Sequence, residues 1–312
     1  MADQIQPARP SPMLQLPAPA KLNLFLRIGG RRADGYHELQ TLFQLLDYGD
    51  TLTFSVCETG KIHVDAGALK IPLEDNLVYR AARLLREKSL HNHHQVPGAH
   101  IRLIKNLPHG GGIGGGSSDA ATTLLALNYL WQCGLSIDAL AELGRQLGAD
   151  IPVFVRGHTA WAEGVGEKLT PITTVKRHYL VVSPGCEVRT ANIFCDPRLT
   201  RDSPPITLAA LREKLRSEKA LSGEKRQVFP GNDCQTLVEH LYPEVRDARV
   251  WLEQFAPAQL TGTGGCVFAA FHTACAANTV FARLPDKWRG FIASGVPISP
   301  AHQVLAKLTS SE

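Results

Sequence analysis

A run of glycines near the middle of the chain constrains its fold more than any other feature of the sequence. Six of the seven residues from 110 to 116 are glycine, and only Ile113 carries a Cβ. Residues 99–104 before the run have the pattern of a strand, and residues 120–131 after it have the pattern of a helix. The sequence therefore predicts a strand, a glycine loop and a helix in succession. Such a loop can turn several backbone N–H groups toward one anion at the positive end of a helix dipole.

The glycine run matches two common phosphate-binding patterns only in part. Gly110, Gly112 and Gly115 satisfy G-x-G-x-x-G, but Asp138, at about the right spacing for the acidic partner, begins a predicted helix instead of ending a strand. A Walker loop needs Gly-Lys-Ser/Thr, and no lysine precedes Ser117. Ser117 and Ser118 still add hydroxyls where the helix begins, so the predicted ligand is a polyphosphate. The alternative is a turn used only for tight packing.

The rest of the chain alternates between strand and helix patterns. Residues 14–28 predict one long strand with Lys21 and Asn23 on its polar face, and residues 39–46 and 51–57 predict two strands joined by a turn at 48–50. Further strands are predicted at 99–104, 159–163, 168–172, 179–183, 266–271 and near Phe291. Helices are predicted at 76–88, 120–131, 136–148, 208–215, 232–241, 243–255 and 274–284. The pattern predicts an α/β (α+β) protein.

The composition excludes several classes of protein. The 312 residues are 44% hydrophobic and 20% charged, enough apolar surface for one large core or two ordinary ones. A net charge of +4 without a basic stripe argues against a nucleic-acid partner. No apolar segment approaches the ~20 residues of a membrane span, and residues 1–12 lack the features of a signal peptide. The seven cysteines form no Cys-x-x-Cys pair, so we expect reduced thiols in the cytoplasm.

Two side chains are candidates for phosphoryl transfer, which needs charge neutralisation and a base for the acceptor hydroxyl. Asp150 follows a predicted helix and precedes Ile151-Pro152, where its carboxylate can face a cleft. The alternative is that Asp150 caps the next short helix. Lys21 is the complementary cation, against the alternative of a solvated lysine on the polar face of its strand.

Two further clusters allow more than one interpretation. Residues 261–265, Thr-Gly-Thr-Gly-Gly, can form either a hairpin turn or a backbone wall that closes on a phosphate. His91, His93 and His94 lie in a polar segment without acidic or cysteine partners, so we interpret them as a surface loop rather than a metal site.

Four segments together resemble the superfamily of galactokinase, homoserine kinase, mevalonate kinase and phosphomevalonate kinase, the GHMP kinases. These segments are residues 17–26 (PAPAKLNLFL), residues 32–41 (RADGYHELQT), the glycine loop and residues 260–265. The similarity extends from about Leu16 to near Leu305 and, within the superfamily, is to kinases that act on a cytidine diphosphate conjugate. It implies ATP-dependent phosphorylation of the 2-hydroxyl of the methylerythritol part of that substrate, a step of the non-mevalonate isoprenoid pathway.

The resemblance also implies roles for individual residues. Asp150 would be the base, Lys21 would orient it and the acceptor, and Asn23 would support both. Tyr36 and Phe194 would stack on the cytosine ring, although without the resemblance core packing is the simpler interpretation of both. His37 would read the polar edge of the base. The residues that would hold the phosphates of ATP are Pro108, Gly110, Gly111, Gly112, Gly114, Gly115, Gly116, Ser117 and Ser118. Mg²⁺ would accompany ATP, with no ligand assigned.

The domain organisation implied by the resemblance is an N-terminal ATP-binding domain, residues 13–175, and a C-terminal ferredoxin-like domain, residues 176–312. The substrate would bind in the cleft between them. The arm before Met13 and the polar stretch 203–230 have no assigned role, and nothing in the sequence indicates an oligomeric state. Two other functions fit parts of the sequence: a dinucleotide-dependent oxidoreductase that uses residues 110–115, and an RNA-binding module on a related fold, which the missing basic stripe disfavours.

Overall fold

The computed structural model describes residues 13–32, 35, 37–67, 69–90, 96–220 and 229–310. These residues form ten strands and ten α-helices. The strands are β1 (Leu14–Arg31), β2 (His37–Cys57), β3 (Ile62–Asp65), β4 (Gly98–Ile104), β5 (Ala160–Glu163), β6 (Lys168–Pro171), β7 (His178–Ser183), β8 (Ala258–Leu260), β9 (Val267–Phe271) and β10 (Arg289–Val296). The helices are α1 (Leu77–Leu90), α2 (Gly115–Leu130), α3 (Ile137–Arg145), α4 (Ile151–Arg156), α5 (Thr190–Cys195), α6 (Leu208–Ala220), α7 (Gln235–Leu241), α8 (Pro243–Glu253), α9 (Ala274–Phe281) and α10 (Pro300–Thr309). The predicted mixed α/β architecture is confirmed.

The strands pair into one ten-stranded sheet whose main path runs β3-β4-β2-β10-β7-β9-β8. β1 pairs antiparallel with β2 along nearly its whole length, and β5 joins β2 to β6. β10 connects the two halves of the chain, because most of it pairs with β7 while Gly295 and Val296 pair with β2. The sheet is therefore continuous from the N-terminal half into the C-terminal half.

The turn predicted at residues 48–50 does not form, because β2 passes through this segment without a break. A Cβ at Gly49 would lie only 2.0 Å from the carbonyl oxygen of Ala18 in β1. Gly49 therefore allows close approach of two paired strands instead of a change of chain direction. The pairing shifts register nearby, between Pro19 and Lys21, as at a β-bulge.

Helix starts that carry a local capping signal agree with the sequence. The side chain of Asn76 accepts a hydrogen bond from the Val78 amide at 2.9 Å, and Ser136 accepts one from the Ala139 amide at 3.2 Å. The helices predicted to begin at residues 76 and 136 therefore start within one residue of α1 and α3. The sequence pattern does not predict β3, β8, α5 or α10, and it gives α4 only as the short helix that Asp150 could cap. Helix α6 extends beyond the predicted 208–215.

Three apolar clusters fill the space around the sheet. The first lies between β1, β2 and helices α1 to α4, and the second lies between β7 to β9 and helices α5 and α7 to α9. The third contains residues of β1 and β2 together with residues of β7, β9, β10 and α6. Val304, Leu305 and Leu308 of α10 pack against the first cluster. The C-terminal segment thus returns to the N-terminal half, while the division at residues 175 and 176 stays a prediction.

Among the described residues no helix has the length and apolarity of a membrane span. All seven cysteines are free, as expected for reduced thiols. Burial raises the pKa values of the Cys234 and Cys266 thiols to about 12.

Candidate functional site

A cavity of about 560 Å³ opens where the glycine loop, β1 and the second half of the chain meet. Residues from both halves line it: Lys21, Asn23, His37, Thr41, Gly112, Ser117, Asp150, Thr190, Phe194, Arg201, Gly262 and Thr263 are among them. It therefore combines candidate residues that are separated by up to about 240 positions in the sequence.

Lys21 lies buried at the inner end of this cavity. Its ammonium group donates to Oδ1 of Asn23 at 2.6 Å and to the carbonyl oxygen of Gly112 at 3.1 Å. It lies 3.2 Å from Oδ2 of Asp150 and 5.2 Å from the centre of the Phe43 ring. These contacts exclude the solvated-lysine alternative, because a surface lysine would not be held by three oxygen atoms inside the protein.

Asp150 occupies the position before α4, yet its side chain does not cap that helix. Its carboxylate points instead toward Lys21, and 37% of the side chain is exposed. The capping alternative therefore does not describe this residue. A carboxylate with a cation on one side and open cavity on the other can accept a proton from a bound hydroxyl.

Asn23 connects Lys21 to the neighbouring strands. Because an ammonium group can only donate, the oxygen of the Asn23 amide faces Lys21, and its nitrogen donates to Oγ1 of Thr41 at 2.9 Å. The backbone N–H of Asn23 donates to Oγ1 of Thr261 at 2.9 Å. The orientation of the Asn23 side chain is thus fixed from both ends.

The glycine loop requires glycine at positions where backbone geometry excludes a side chain. Gly110, Gly112 and Gly114 have φ values of 66°, 71° and 76°, in the left-handed region. A Cβ at Gly112 would lie 2.4 Å from the carbonyl oxygen of Thr261. The loop is also hydrogen-bonded to β1, since the Lys21 amide donates to the carbonyl oxygen of Ile113 at 3.0 Å.

The second glycine cluster, residues 261–265, joins β8 to β9 and so forms a hairpin loop. It also packs against the glycine loop, where the Cys266 amide donates to the carbonyl oxygen of Gly111 at 3.0 Å. Gly262 and Thr263 line the same cavity as Gly112. The hairpin-turn interpretation is therefore confirmed, while closure of this cluster on a phosphate stays a prediction.

The predicted phosphate-binding residues form one continuous segment that ends in α2. Gly112 and Ser117 line the cavity, and α2 begins at Gly115, so the amides of its first turn lie next to the cavity. Ser118 is buried, and its Oγ has no hydrogen-bond partner among the described residues. Pro108, Gly110, Gly111, Gly114 and Gly116 lie along the same loop and helix start.

Three charged residues that the sequence did not reveal hold the two ends of this loop. Lys105 donates to Oδ2 of Asp119 in α2 at 2.8 Å and also to the buried Asp50 of β2. Oδ1 of Asp50 accepts the amides of Asn106 and Leu107 at 2.6 and 2.8 Å. Burial raises the pKa of Asp119 to about 7, with Lys105 opposing the rise and Asp50 adding to it. No short spacing could have linked these residues.

The aromatic end of the cavity contains His37 and Phe194. Their rings stack with centroids 5.2 Å apart and an interplanar angle of 26°. Phe194 also packs against the second apolar cluster, so it combines cavity lining with core packing. Burial lowers the pKa of His37, and the positive charges of Arg201 and Arg31 lower it further. Tyr36 lies outside the described residues.

Metal-binding side chains are not concentrated anywhere in the described ranges, where no group of three His, Cys, Asp or Glu residues could hold an ion. His91, His93 and His94 lie outside those ranges.

Comparisons with known proteins agree on one family. The profile described as GHMP kinases N terminal domain matches residues 76–158, and the one described as GHMP kinases C terminal matches residues 208–290. A 4-diphosphocytidyl-2-C-methyl-D-erythritol kinase of Pseudomonas paraeruginosa is 54% identical over 295 residues, covering 95% of this chain and 98% of the relative. The kinase of the same description from Hahella chejuensis is 51% identical over 291 residues, covering 92% and 95%.

Solved structures give the same result. The crystal structure of a 4-(cytidine 5'-diphospho)-2C-methyl-D-erythritol kinase superposes with a TM-score of 0.76 at 32% identity, covering 91% of this chain and 100% of the other. The mevalonate kinase of Methanococcus jannaschii superposes with a TM-score of 0.62 at 16% identity, covering 93% and 100%, which shows a shared fold alone.

Proposed function

Because this chain belongs to the GHMP kinases, and within them to the 4-diphosphocytidyl-2-C-methyl-D-erythritol kinases, we propose that its cavity is where ATP phosphorylates the 2-hydroxyl of 4-diphosphocytidyl-2-C-methyl-D-erythritol. The observation that carries this proposal is the junction of three parts in one cavity. The glycine loop, the Lys21 and Asp150 pair, and the His37 and Phe194 stack all line it. The loop would bind a triphosphate, the Lys21 and Asp150 pair would accept the transferred proton, and the aromatic stack would bind a nucleobase.

In this proposal Asp150 removes the proton of the acceptor hydroxyl. Its carboxylate lies next to the Lys21 ammonium at 3.2 Å, and that cation stabilises negative charge that develops as the phosphoryl group moves. Gly112 and Asn23 hold Lys21 in place, so the ammonium group is oriented before the substrate binds. The Lys21 ammonium group therefore lies between the Asp150 carboxylate and the glycine loop and contacts both.

The phosphates of ATP would lie against the loop and the first turn of α2. Backbone N–H groups there have no acceptor within the helix, and their partial positive charge favours a polyphosphate. Mg²⁺ would neutralise part of the phosphate charge, and the donor set fits it, because Mg²⁺ commonly keeps waters and phosphate oxygens beside one or two carboxylates. Asp150 and Ser117 both line the cavity and carry side-chain oxygen atoms that would hold it.

At the other end of the cavity, Phe194 offers a ring face to the cytosine and His37 offers a polar ring edge. Stacking of Tyr36 on the other face of the cytosine ring stays a prediction, and so does the cytoplasmic location. Membership of the GHMP kinases argues against the two alternative functions, a dinucleotide-dependent oxidoreductase and an RNA-binding module.

A coupled assay of ADP release tests the proposal. The protein is incubated with ATP, Mg²⁺ and the cytidine diphosphate methylerythritol substrate, with mevalonate and homoserine as control acceptors. We expect ADP release with the first acceptor and only background rates with the two controls. Equal or faster turnover of mevalonate or homoserine would refute the substrate assignment while leaving the kinase assignment in place.

A further inference from the structure

Arg201 is a cavity residue to which neither the sequence pattern nor the proposed reaction gives a role. Its Nε donates to Nε2 of His37 at 3.0 Å. Its Nη2 donates to the carbonyl oxygens of Phe194 and Asp196, both at 2.8 Å, and Nη1 donates to that of Leu199 at 3.0 Å. One guanidinium group therefore holds both aromatic residues of the cavity, one through its side chain and one through its backbone.

The contact with Arg201 determines which nitrogen of His37 carries the proton. A guanidinium group has only donors, so Nε2 of His37 must accept and cannot be protonated. A neutral imidazole has one N–H, which is then on Nδ1. Burial and the facing charges of Arg201 and Arg31 lower the pKa of His37, which favours this neutral form at physiological pH.

The Nδ1–H group has no protein acceptor among the hydrogen bonds of the described residues, and His37 lines the cavity. It is therefore left for a ligand. Ring position 3 of cytosine is a hydrogen-bond acceptor, whereas the same position of uracil carries an N–H. A fixed donor can pair with the first, but it meets another donor in the second, and a buried donor without an acceptor is costly.

We propose that Arg201 is a positioning residue that fixes His37 as an Nδ1–H donor and so makes the cavity select cytosine over uracil. The proposal rests on the proposed function for the identity of the bound base. It assigns selectivity to a residue 164 positions away in the sequence, which acts on the ligand through the histidine ring. Without Arg201, neither ring nitrogen is tied to a donor, so both tautomers become accessible and one of them accepts the N–H of uracil.

The test measures binding of cytidine diphosphate and of uridine diphosphate by calorimetry, independently of phosphoryl transfer. Arg201→Met removes every donor and the charge. Arg201→Gln places an amide N–H near the position of Nε and removes the charge. The matched control is Arg198→Met, because Arg198 lies on the same segment but pairs with Asp196 and does not contact His37. A ¹⁵N spectrum of the histidine ring identifies the protonated nitrogen, and a circular dichroism melt checks folding.

We expect the wild-type protein and Arg198→Met to prefer cytidine diphosphate, with His37 protonated on Nδ1. In Arg201→Met the ratio of the two dissociation constants should fall by roughly tenfold or more, the effect of one unpaired buried donor. The ring spectrum should then show a mixture of tautomers, and Arg201→Gln should restore most of the preference. For the kinase reaction, KM of the cytidine substrate should rise in Arg201→Met with little change in kcat.

Two results would overturn the proposal: wild-type His37 protonated on Nε2, or an unchanged preference in folded Arg201→Met together with an unchanged tautomer. Failure of the proposed function gives a different result. A protein that prefers cytidine diphosphate in an Arg201-dependent manner but releases no ADP would refute the kinase assignment and support the role of Arg201.

Discussion

Replacing Asp150 by asparagine removes a proton acceptor from the cavity while keeping the shape of the side chain. If Asp150 is the base, turnover should fall by ~10²- to 10⁴-fold, the usual contribution of a positioned base. This range corresponds to about 2.7 to 5.4 kcal/mol of activation free energy. ATP should bind as before, because the loop amides and the start of α2 are unchanged.

The same substitution should have little effect on folding. The Asp150 side chain is 37% exposed, so water screens its contact with Lys21, and Lys21 keeps its hydrogen bonds to Asn23 and Gly112. We expect a loss of about 1 kcal/mol or less in the free energy of unfolding. The melting temperature should then fall by no more than about 3 °C.

The assay is ADP release at saturating ATP and cytidine substrate, with ATP binding measured by calorimetry. Asp138→Asn is the matched control, because Asp138 is 79% exposed and pairs with Arg156 at 2.6 Å on a neighbouring helix. Its turnover should equal that of the wild-type protein. If Asp150→Asn retains turnover within about threefold of the wild-type value, the role of Asp150 as base is wrong.

Three further predictions concern the surroundings of the cavity. Lys21→Met keeps the apolar stem of the side chain but removes the cation, and we expect turnover to fall by ~10²-fold or more. The circular dichroism spectrum should be retained, and a normal rate of ADP release would exclude Lys21 from the reaction. Gly112→Ala places a Cβ 2.4 Å from the Thr261 carbonyl oxygen at a φ of +71°, so we expect weaker ATP binding in calorimetry and a lower melting temperature. Gly116→Ala meets only Leu77 at 3.4 Å and should leave the free energy of unfolding unchanged or raise it by ~0.5 to 1 kcal/mol. Equal changes in the melting temperatures of the two variants would contradict the strain argument. The pKa of Asp119 is raised to about 7 from the ordinary 3.8, so the folded protein binds the carboxyl proton more tightly than the unfolded chain does. The free energy of unfolding should therefore fall as pH rises from about 4 to about 7. In urea titrations Asp119→Asn should lack this pH-dependent fall, and parallel pH profiles for the two proteins would refute the prediction.

Local patterns in the sequence predict much of the candidate site, but they do not predict contacts between segments that are far apart in the chain. The glycine run, Lys21 and Asp150 each have an unusual local context, and the structure brings them together. The local sequence makes Asp150 a candidate base, Lys21 a candidate cation and the glycine run a candidate phosphate loop. The resemblance implies the same roles, which stay proposals. Gly49 was interpreted as a turn because sequence alone cannot distinguish a change of chain direction from close contact with a partner strand.

Residues that act through distant partners could not be found. Asp50 and Lys105 are 55 positions apart, and His37 and Arg201 are 164 apart, so no periodicity or motif connects them. Helix α10 was missed for a related reason. Among its residues only Ala301 is fully buried, so its apolar pattern is weak, and the packing of Val304, Leu305 and Leu308 on the first cluster depends on the tertiary fold.

The position of α10 has a consequence for how the polypeptide reaches its native state during synthesis. The ribosome produces the glycine loop and most of the first apolar cluster long before it produces Val304, Leu305 and Leu308, which cover part of that cluster. An emerging chain therefore exposes an incompletely covered apolar surface until residues 304–308 have left the ribosome. A chain that stops before residue 300 would keep Lys21 and Asp150 but lack the helix that covers part of the first apolar cluster.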